Sequence, residues 1–449
     1  MKINLKYEKY KKDIIDICRI FPMPDPEFIS LGEVLVERDK ILLDRTYHFE
    51  SRLELKQILY DYLSEKYNYR SPWGLVTGTK PQKLYDKYEG LAKIDALEKD
   101  YRLSREKLLL LEDIHRALKN INFDPNNIHL YINIPFCPSR CSYCSFPTII
   151  YKNKDRREEY IKALIEEILA LKDSINKRRL RSIYVGGGTP SALTLEQMEK
   201  LLSCLDDSFK LENLEEFTFE AGREDTLDKE KLALLKNYKV SRLSLNPQSF
   251  NSKTLDKVGR NFDGRHFEKM YVLAKKLGFV VNMDLILGLE DEGLEELELT
   301  MDMIERYKPD NLTIHTLSIK RGSKISQDLA KSDNKSKGVE DLVDYSQKKS
   351  KDLSYKPYYL YRQKEILGNF ENIGYFLSDK YSIYNVATNE ERESILGVGM
   401  TANSKILVAD KLIKYTNYKN IDEYIANLNL EIDKKKTLLD KKIKEVLFY

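Results

Sequence analysis

Three cysteines lie close together in the segment YINIPFCPSRCSYCSF, at positions 137, 141 and 144. Because the spacing C-x3-C-x2-C follows a predicted strand, a short loop can wrap one iron–sulfur cube and ligate three of its irons with Cys137, Cys141 and Cys144. The fourth iron is then open to a substrate group, whereas clusters that only transfer electrons are saturated by cysteine. The alternatives are a zinc site, which normally has four ligands and paired C-x2-C spacing, and inert buried thiols. Cys18 and Cys204 are predicted to be buried apolar residues.

Three further features suit a binding site. The sequence VGGGTP spans 185–190, and its glycines let the backbone approach a ligand more closely than residues with side chains allow. Asp284 lies within the apolar segment NMDLILGL, where an unpaired carboxylate is costly, and a buried partner such as Arg260 would satisfy it. His315 lies at the end of a predicted strand, where a lone histidine is either catalytic or a hydrogen-bonded core residue.

Alternating strands and helices must position these residues. From Leu130 onward, a strand, a glycine-bearing turn and a helix recur about six times. The strands are predicted near 130–134, 182–185, 216–220, 241–245, 280–285 and 311–317. Strands separated by helices pair in parallel through right-handed crossovers, so the chain is predicted to be α/β, with a partial (β/α)6 barrel of the TIM type. In such barrels the chemistry lies at the carboxyl ends of the strands, where the cysteines, the glycines and His315 fall.

Other regions are predicted to flank the barrel. An alternating apolar pattern at 28–45 predicts a hairpin, and helical spacing at 49–68 and 103–119 predicts two helices. The domains are assigned as an N-terminal α+β domain (1–125), the barrel (126–325) and a mixed, mostly helical C-terminal extension that completes the active site (326–449).

Composition limits the range of functions. The chain has 449 residues, of which 42% are hydrophobic and 33% charged, as is typical of a globular protein with a substantial core. Its 75 Lys and Arg residues nearly balance 72 Asp and Glu residues, and a net charge of +3 gives no large field for binding nucleic acid. We find no apolar run of signal-peptide or membrane-spanning type, and expect a cytoplasmic protein without stable membrane insertion.

The cysteine segment resembles the signature of the radical S-adenosylmethionine (SAM) superfamily, which has this spacing and an aromatic residue before the third cysteine, here Tyr143. The resemblance implies a [4Fe–4S] cluster whose open iron chelates the amino and carboxylate groups of SAM. One electron from a reductant such as flavodoxin or ferredoxin then cleaves SAM to methionine and a 5′-deoxyadenosyl radical, which abstracts a hydrogen atom from the substrate. The protein orients the reactants and excludes water.

The resemblance narrows to the oxygen-independent coproporphyrinogen III oxidase group and covers almost all of residues 128–405. The segments YINIPFC, GGGTP, FTFEAGRED, SLNPQSF, VGRNF and NMDLILGL occur in that group's order and spacing. LTIHTLSIKRGS, PYYLYRQKEILGNFENIGY and PWGLVTGTKP look like the HemZ-type coproporphyrinogen dehydrogenases. The implied reaction is the oxidative decarboxylation of two propionates of coproporphyrinogen III to vinyl groups, which gives protoporphyrinogen IX in haem biosynthesis.

Cofactor contacts are carried over from this group by position. The resemblance implies that Tyr131, Gly187 and Glu220 contact the SAM that is cleaved. The Glu220 carboxylate is suited to accept hydrogen bonds from ribose hydroxyls. The alternative is that it has only a structural, capping role. The group is also said to hold a second SAM, and the residues that match its site are Tyr143, Gly188, Thr189, Gln248, Arg260 and Asp284.

The propionates of the implied substrate need fixed cations, ideally arginines that bind carboxylates in a bidentate manner. Arg223, Arg321, Arg362 and Lys364 lie in or beside the family-like segments and are candidates, with ordinary surface charges as the alternative. Arg223, Arg321 and His315 are assigned as catalytic residues.

Three departures concern the substrate. The characterised decarboxylases of this group have His in the IHIPFC segment and a fourth cysteine two places after the third, where this chain has Asn133 and Phe146. Their amino-terminal arm also has no visible counterpart here. Relatives with Phe at that position include haem-binding chaperones. Three functions therefore stay open: decarboxylation of coproporphyrinogen III, haem delivery, and radical SAM modification of another tetrapyrrole such as haem.

Overall fold

The computed structural model describes residues 1–90, 92–320, 323–325, 338–363, 366–408 and 411–446, and it describes side chains as far as residue 440. The chain falls into two compact units. The first comprises Met1–Lys119 with Leu360–Lys364, and the second comprises Asn120–Tyr359 with Glu365–Tyr449.

The first unit is an α+β structure with a small mixed sheet. Its elements are β1 (Lys2–Leu5), α1 (Lys11–Cys18), β2 (Glu27–Phe28), β3 (Val34–Val36), β4 (Lys40–Leu42), β5 (Thr46–His48), α2 (Arg52–Tyr67), α3 (Pro81–Tyr85), α4 (Lys93–Tyr101) and α5 (Arg105–Leu118). The sheet has the order β2-β1-β3-β4-β5. Strands β3 and β4 form an antiparallel hairpin within the predicted segment, whereas β2 pairs in parallel with β1.

Both helices predicted for this unit are confirmed. Helix α2 begins after Ser51 and helix α5 after Ser104, and each serine side chain accepts a hydrogen bond from the backbone N–H three residues on. Such a cap satisfies one of the N–H groups that the first turn of a helix leaves without a partner. Cys18 is buried in the apolar core of the unit, as predicted.

The second unit contains the predicted barrel. Its elements are β6 (Asn127–Ile134), β7 (Phe136–Cys137), β8 (Ile149–Ile150), α6 (Arg157–Asn176), β9 (Arg179–Gly187), α7 (Leu195–Ser208), β10 (Glu216–Glu220), α8 (Lys229–Asn237), β11 (Arg242–Ser244), α9 (Ser252–Lys257), α10 (Gly264–Lys276), β12 (Val280–Leu287), α11 (Leu294–Tyr307), β13 (Asn311–Thr316), α12 (Val339–Asp352), β14 (Lys356–Tyr361), β15 (Asn372–Phe376), α13 (Ile383–Glu390), β16 (Ser394–Val398), β17 (Asn403–Val408), β18 (Lys411–Thr416), α14 (Ile421–Ala426) and α15 (Leu428–Val446).

One sheet organises this unit, in the order β14-β15-β13-β12-β11-β10-β9-β6-β16-β17-β18. The six predicted strands, β6 and β9 to β13, are confirmed and pair in parallel with one another. Strand β16 adds a further parallel strand beside β6, which the sequence did not reveal. Over the described residues the hydrogen-bonded order does not return to its first strand. The α/β fold class with a partial barrel is confirmed.

Alternation along the strands divides the sheet into an apolar face and a polar face. In β6, Ile128, Leu130, Ile132 and Ile134 are fully buried, and the residues between them are His129, Tyr131 and Asn133. The register carries this alternation across the sheet, because Tyr131 pairs with Tyr184 and Tyr184 with Thr218. Successive side chains of a strand point to opposite faces, so the polar side chains of all these strands gather on one side.

Helix α13 packs against the polar face through Glu216. The Glu216 carboxylate accepts hydrogen bonds from Arg242 Nε at 3.0 Å, from Ser382 Oγ at 2.8 Å and from the Ile383 backbone N–H at 3.0 Å. A carboxylate at a helix amino terminus is favoured by the helix dipole, and Arg242 supplies the charge partner that a buried Glu needs. This arrangement brings Tyr384, in the first turn of α13, against the strands.

None of the helices in the described part of the chain is long and apolar enough to span a membrane.

Candidate active site

The cysteine loop follows β6 directly. Strand β7 ends in Cys137 and pairs with β8, and the Cys137 carbonyl accepts a hydrogen bond from the Tyr151 N–H at 3.4 Å. The Cys144 N–H closes a turn onto the Cys141 carbonyl at 3.1 Å. Cys137 and Cys141 are 8% and 7% exposed, and Cys144 is partly exposed. The loop therefore presents three thiols at the carboxyl end of the first barrel strand, with Cys144 nearest to solvent.

Three thiols from one loop are the donor set that an iron–sulfur cluster takes. Among the side chains that the structure describes, no three His, Cys, Asp or Glu residues converge on one metal ion. A zinc ion would require sulfur ligands about 2.3 Å from one centre, whereas a cube takes each thiolate on a different iron. Burial raises the pKa of the Cys137 thiol to about 11, against the effect of a hydrogen-bond contact with Thr189 Oγ1 at 3.3 Å. Ligation must therefore displace the proton of this thiol.

The glycines of the 185–190 segment let the turn after β9 approach the cysteine loop. A Cβ on Gly188 would lie 2.9 Å from the Phe136 carbonyl oxygen and 3.1 Å from Cys137 Sγ. Gly187 has a φ of +122°, and a Cβ there would lie 2.5 Å from Asn133 Oδ1. The close approach that these glycines make possible is thus to backbone and side-chain atoms of β6 and the cysteine loop. Ligand contact by Gly187 and Gly188 stays a prediction.

Glu220 lies at the carboxyl end of β10, held at both carboxylate oxygens. The Tyr184 hydroxyl donates to Oε1, and the Gly187 backbone N–H donates to Oε2 at 3.2 Å. Burial raises the pKa of Glu220 to about 7, the Tyr184 hydrogen bond lowers it, and the nearby Asp284 carboxylate raises it further. Each oxygen of the Glu220 carboxylate has a second lone pair, so Glu220 can still accept hydrogen bonds from the hydroxyls of a ligand.

Three tyrosines stack beside this carboxylate. The rings of Tyr184 and Tyr384 lie 4.3 Å apart at 26°, and those of Tyr131 and Tyr384 lie 6.1 Å apart at 18°. The Tyr131 hydroxyl donates to Asn133 Oδ1 at 3.0 Å, and Asn133 Nδ2 donates to the Met400 carbonyl at 2.6 Å. Offset aromatic stacking of this kind fixes ring positions. The sequence reasoning missed Tyr184 and Tyr384; for Tyr184, the polar alternation along β9 was the available signal.

Asp284 and His315 lie on the adjacent strands β12 and β13. His315 Nε2 is 3.8 Å from Asp284 Oδ2, and Asn282 Nδ2 donates to Asp284 Oδ1 at 2.7 Å. The sequence left Arg260 as a possible partner of Asp284, but Arg260 donates to the carbonyls of Gly222, at 2.7 Å, and Asn246. The Asp284 carboxylate therefore accepts a hydrogen bond from the Asn282 side-chain amide and faces the His315 ring.

Two buried polar atoms at the carboxyl ends of the strands lack partners within the described residues: Gln248 Oε1 and Arg260 Nε. Gln248 has a φ of +67°, and it is fixed by backbone hydrogen bonds to β12, from its N–H to the Asp284 carbonyl and from the Ile286 N–H to its own carbonyl, both at 2.9 Å. Buried polar groups without partners are costly, so both atoms suit contact with a polar ligand. Tyr143 lies near Arg260 and Cys141, and burial raises its pKa.

The four cationic residues predicted to bind the substrate lie in different parts of the chain. Arg223 is buried at the cysteine loop, where it donates to both oxygens of Asp225 at 2.9 and 2.7 Å, lies 3.0 Å from Ser139 Oγ and is 3.9 Å from Cys141 Sγ. Arg362, 3% exposed, belongs to the first unit, where it donates to the Val76 carbonyl and stacks over Trp73. Arg321 and Lys364 lie outside the described residues. Substrate binding by any of the four stays a prediction.

A family model supports the interpretation of the cysteine loop. The Radical SAM superfamily model matches residues 131–304, which run from β6 to α11. The solved structure of coproporphyrinogen III oxidase (HemN) from Escherichia coli, a radical SAM enzyme, superposes with a TM-score of 0.57 at 21% identity over 73% of each chain. At that identity the match shows the fold.

Proteins related in sequence match a larger part of this chain than the superfamily model does. The oxygen-independent coproporphyrinogen-III oxidase-like protein HemZ of Bacillus subtilis (strain 168) is 36% identical over 384 residues, which cover 81% of this chain and 76% of HemZ. The haem chaperone HemW of the same organism is 32% identical over 191 residues, covering 42% of this chain and 50% of HemW. The superfamily implies a [4Fe–4S] cluster and SAM as cofactors. This chain therefore belongs to the radical SAM superfamily and, within it, to the oxygen-independent coproporphyrinogen III oxidase group that includes HemZ.

Proposed function

We propose that this protein is a radical SAM oxidoreductase that decarboxylates two propionates of coproporphyrinogen III to vinyl groups without oxygen. The observation that carries the proposal is the placement of three features toward the carboxyl ends of strands of one parallel sheet: the cysteine loop after β6, Glu220 on β10, and the His315–Asp284 pair on β13 and β12. Catalytic groups of parallel α/β barrels occupy this edge. The similarity to HemZ extends over most of the chain and so supports the same substrate class.

In this proposal the protein's part is to hold the cofactors. Cys137, Cys141 and Cys144 would ligate the cluster, and Glu220 would accept hydrogen bonds from the ribose hydroxyls of SAM. Gln248 Oε1 and Arg260 Nε are buried polar atoms that a second SAM would satisfy. When bound, the cluster and SAM supply reductive cleavage of SAM and a radical that removes hydrogen from the substrate.

The His315–Asp284 pair would act on the substrate side. A histidine fixed beside a carboxylate can orient a propionate of the substrate by a hydrogen bond from its ring N–H, without a proton entering or leaving the reaction. Each propionate loses one hydrogen atom and one CO2 in becoming a vinyl group, which leaves one electron for an acceptor. Arg223 would act indirectly, because its guanidinium is committed to Asp225 and to the cysteine loop.

We propose a tetrapyrrole as the substrate, a flavodoxin or ferredoxin as the reductant, and a cytoplasmic location. The HemW relatives keep a haem chaperone as the second candidate, because HemW of Bacillus subtilis is 32% identical to this chain over 191 residues. A radical SAM enzyme that modifies haem is the third.

The test is an anaerobic incubation of cluster-loaded protein with SAM, a reductant and coproporphyrinogen III, followed by chromatography after oxidation of the porphyrinogens. Protoporphyrin together with 5′-deoxyadenosine supports the decarboxylase. Formation of 5′-deoxyadenosine without protoporphyrin directs the search to another tetrapyrrole, with haem first. Tight haem binding with little SAM cleavage identifies the chaperone.

A further inference from the structure

Arg223 places a buried positive charge beside the cysteine loop. Strand β10 ends at Glu220, and Arg223 follows in a turn whose geometry is fixed by Thr226. The Arg223 carbonyl accepts hydrogen bonds from the Thr226 backbone N–H at 3.3 Å and from the Thr226 hydroxyl at 2.9 Å. The backbone from which the guanidinium reaches the loop is therefore held in place.

The guanidinium divides its donors between a carboxylate and the loop. Nε and Nη2 donate to the two oxygens of Asp225 at 2.9 and 2.7 Å, a bidentate pairing that fixes the plane of the guanidinium. Nη1 then reaches the loop, where it donates to Ser139 Oγ at 3.0 Å and lies 3.9 Å from Cys141 Sγ. A positively charged N–H donor thus faces one of the three thiols predicted to ligate the cluster.

The ion pair of Arg223 and Asp225 is unequally exposed. The Arg223 side chain is 6% exposed and the Asp225 side chain 36% exposed, so water screens the carboxylate more than the guanidinium. The positive charge also extends beyond Cys141: burial raises the pKa of the Cys137 thiol, whereas the Thr189 hydrogen bond and the Arg223 charge lower it. Asp225 therefore weakens, but does not cancel, the positive field of Arg223 at the loop.

The other two thiols face uncharged groups. Thr189 Oγ1 lies 3.3 Å from Cys137 Sγ, and the backbone of Phe146 makes a hydrogen bond with the Cys144 thiol. Hydrogen bonds to the sulfurs and the local charge are among the factors that set the reduction potential of an iron–sulfur cluster. Reduction adds one negative charge, so a buried cation stabilises the reduced state more than the oxidised state. Of these three donors, Arg223 is the one whose charge favours reduction.

We propose that Arg223 acts through Cys141 to raise the reduction potential of the cluster, and that Asp225 limits the effect. Arg223 is thus a positioning residue for the reaction. The inference rests on the cluster of the proposed function, and not on its substrate. In the step concerned, an external reductant loses one electron and the cluster gains it, and no bond forms or breaks.

The experiment is an anaerobic redox titration of the full-length, cluster-loaded protein. Dithionite is the reductant, low-potential mediators are present, and SAM and tetrapyrrole are both left out. The midpoint potential is measured from the visible absorbance and from the electron paramagnetic resonance signal of the reduced cluster, after iron content has established that each variant is loaded. Because no substrate is present, failure of the proposed decarboxylation would leave this readout intact.

Two variants should shift the midpoint in opposite directions. Arg223→Met removes the charge and keeps an unbranched stem, so the equilibrium constant for reduction should fall by about tenfold, which is about 59 mV toward lower potential for one electron. Asp225→Asn removes the carboxylate and leaves the cation uncompensated, so the midpoint should move upward. Arg223→Lys keeps the charge without the bidentate fork and should lie between Arg223→Met and the parent. A purely structural role for the ion pair would not give shifts of opposite sign.

The matched control is Arg181→Met. The Arg181 side chain is 7% exposed and pairs with Glu215 and Glu393, each at 2.9 Å, near the amino end of β9, whereas the cysteine loop follows the carboxyl end of β6. The control removes an equally buried cation and should keep the parental midpoint. Equal downward shifts in Arg181→Met and Arg223→Met would reduce the effect to net charge and overturn the proposal.

The remaining outcomes also decide the question. Unchanged midpoints in loaded Arg223→Met and Asp225→Asn would overturn the role of Arg223 while leaving the cluster assignment intact. If Arg223→Met takes up no cluster, the Asp225→Asn midpoint decides: an upward shift supports the proposal, and no shift or a downward shift rejects it. A parent protein that takes up no cluster would contradict the proposed function itself, and this inference with it.

Discussion

The Gly187 backbone N–H donates a hydrogen bond to Glu220 Oε2 at 3.2 Å, which ties the glycine turn after β9 to the end of the neighbouring strand β10. The other carboxylate oxygen accepts the Tyr184 hydroxyl. Burial and the Asp284 carboxylate bring the pKa of Glu220 to about 7 despite these two donors. The residue that we assign to SAM therefore changes charge near neutral pH.

SAM affinity should follow this titration. Below about pH 6 the protonated carboxyl accepts hydroxyl hydrogen bonds less well, and above about pH 8 the carboxylate accepts them fully, so binding should strengthen as pH rises through 7. Calorimetric titration of cluster-loaded protein across this range measures the dependence. Glu220→Gln should weaken SAM binding by about tenfold at pH 8 and remove the pH dependence, since one lost charged hydrogen bond is worth about 1.5–3 kcal/mol.

Glu292 provides the control for this measurement. Burial also raises its pKa to about 7, but its partner is Ser249, and it lies in the turn before α11. Glu292→Gln should leave the pH dependence of SAM binding in place. If instead Glu220→Gln binds SAM like the parent at all pH values, Glu220 is a structural carboxylate.

Tyr184→Phe should move the midpoint of that titration. The phenol lowers the pKa of Glu220 by donating to its carboxylate, so removing the hydroxyl should shift the midpoint to higher pH while the ring still stacks on Tyr384. SAM affinity well above the new midpoint should recover most of the parental value. Tyr384→Phe, which keeps the stack and removes a hydroxyl whose hydrogen-bond partner is Thr388, is the matched control. An unchanged midpoint in Tyr184→Phe would mean that this phenol does not tune the carboxylate.

The sequence predicted the six strands because each is a continuous apolar or alternating run followed by a glycine-bearing turn. It did not predict β16, whose pairing with β6 joins residues far apart in the chain. Tyr184 was missed for a related reason: its link to Glu220 depends on the register between β9 and β10, which no single segment specifies. Similarly, the sequence predicted that Gly188 contacts a ligand, because a glycine lets a ligand come close to the backbone. Only the tertiary structure shows that Cys137 lies beside this glycine.

Cys141→Ala should abolish the cluster. Removing one of three thiolates leaves two protein ligands, too few to hold a cube against solvent, so the visible absorbance after anaerobic reconstitution and all 5′-deoxyadenosine formation should be lost. Cys204→Ala is the control, because Cys204 is a buried residue of α7, as predicted, outside the loop. Full iron content in Cys141→Ala would require a different ligand set.

The carboxyl-terminal helix α15 should be fixed by a buried ion pair. Glu167 of α6 and Lys435 of α15 are both 0% exposed and in contact, and Glu167 also accepts hydrogen bonds at 2.7 Å from the Gly399 N–H and the Tyr424 hydroxyl. Lys435→Met would leave the carboxylate without its cation. Because breaking a buried pair by removing one partner costs about 3–5 kcal/mol, the free energy of unfolding in urea should fall by that amount.

Two further variants separate the buried charge from other effects. Lys434→Met removes the neighbouring, exposed lysine and should change the free energy of unfolding by less than about 0.5 kcal/mol. Lys435→Met/Glu167→Gln should regain part of the loss, since the remaining buried group is neutral and still accepts hydrogen bonds. If Lys435→Met and Lys434→Met are equally stable, water must reach Glu167, and the pair does not fix the helix.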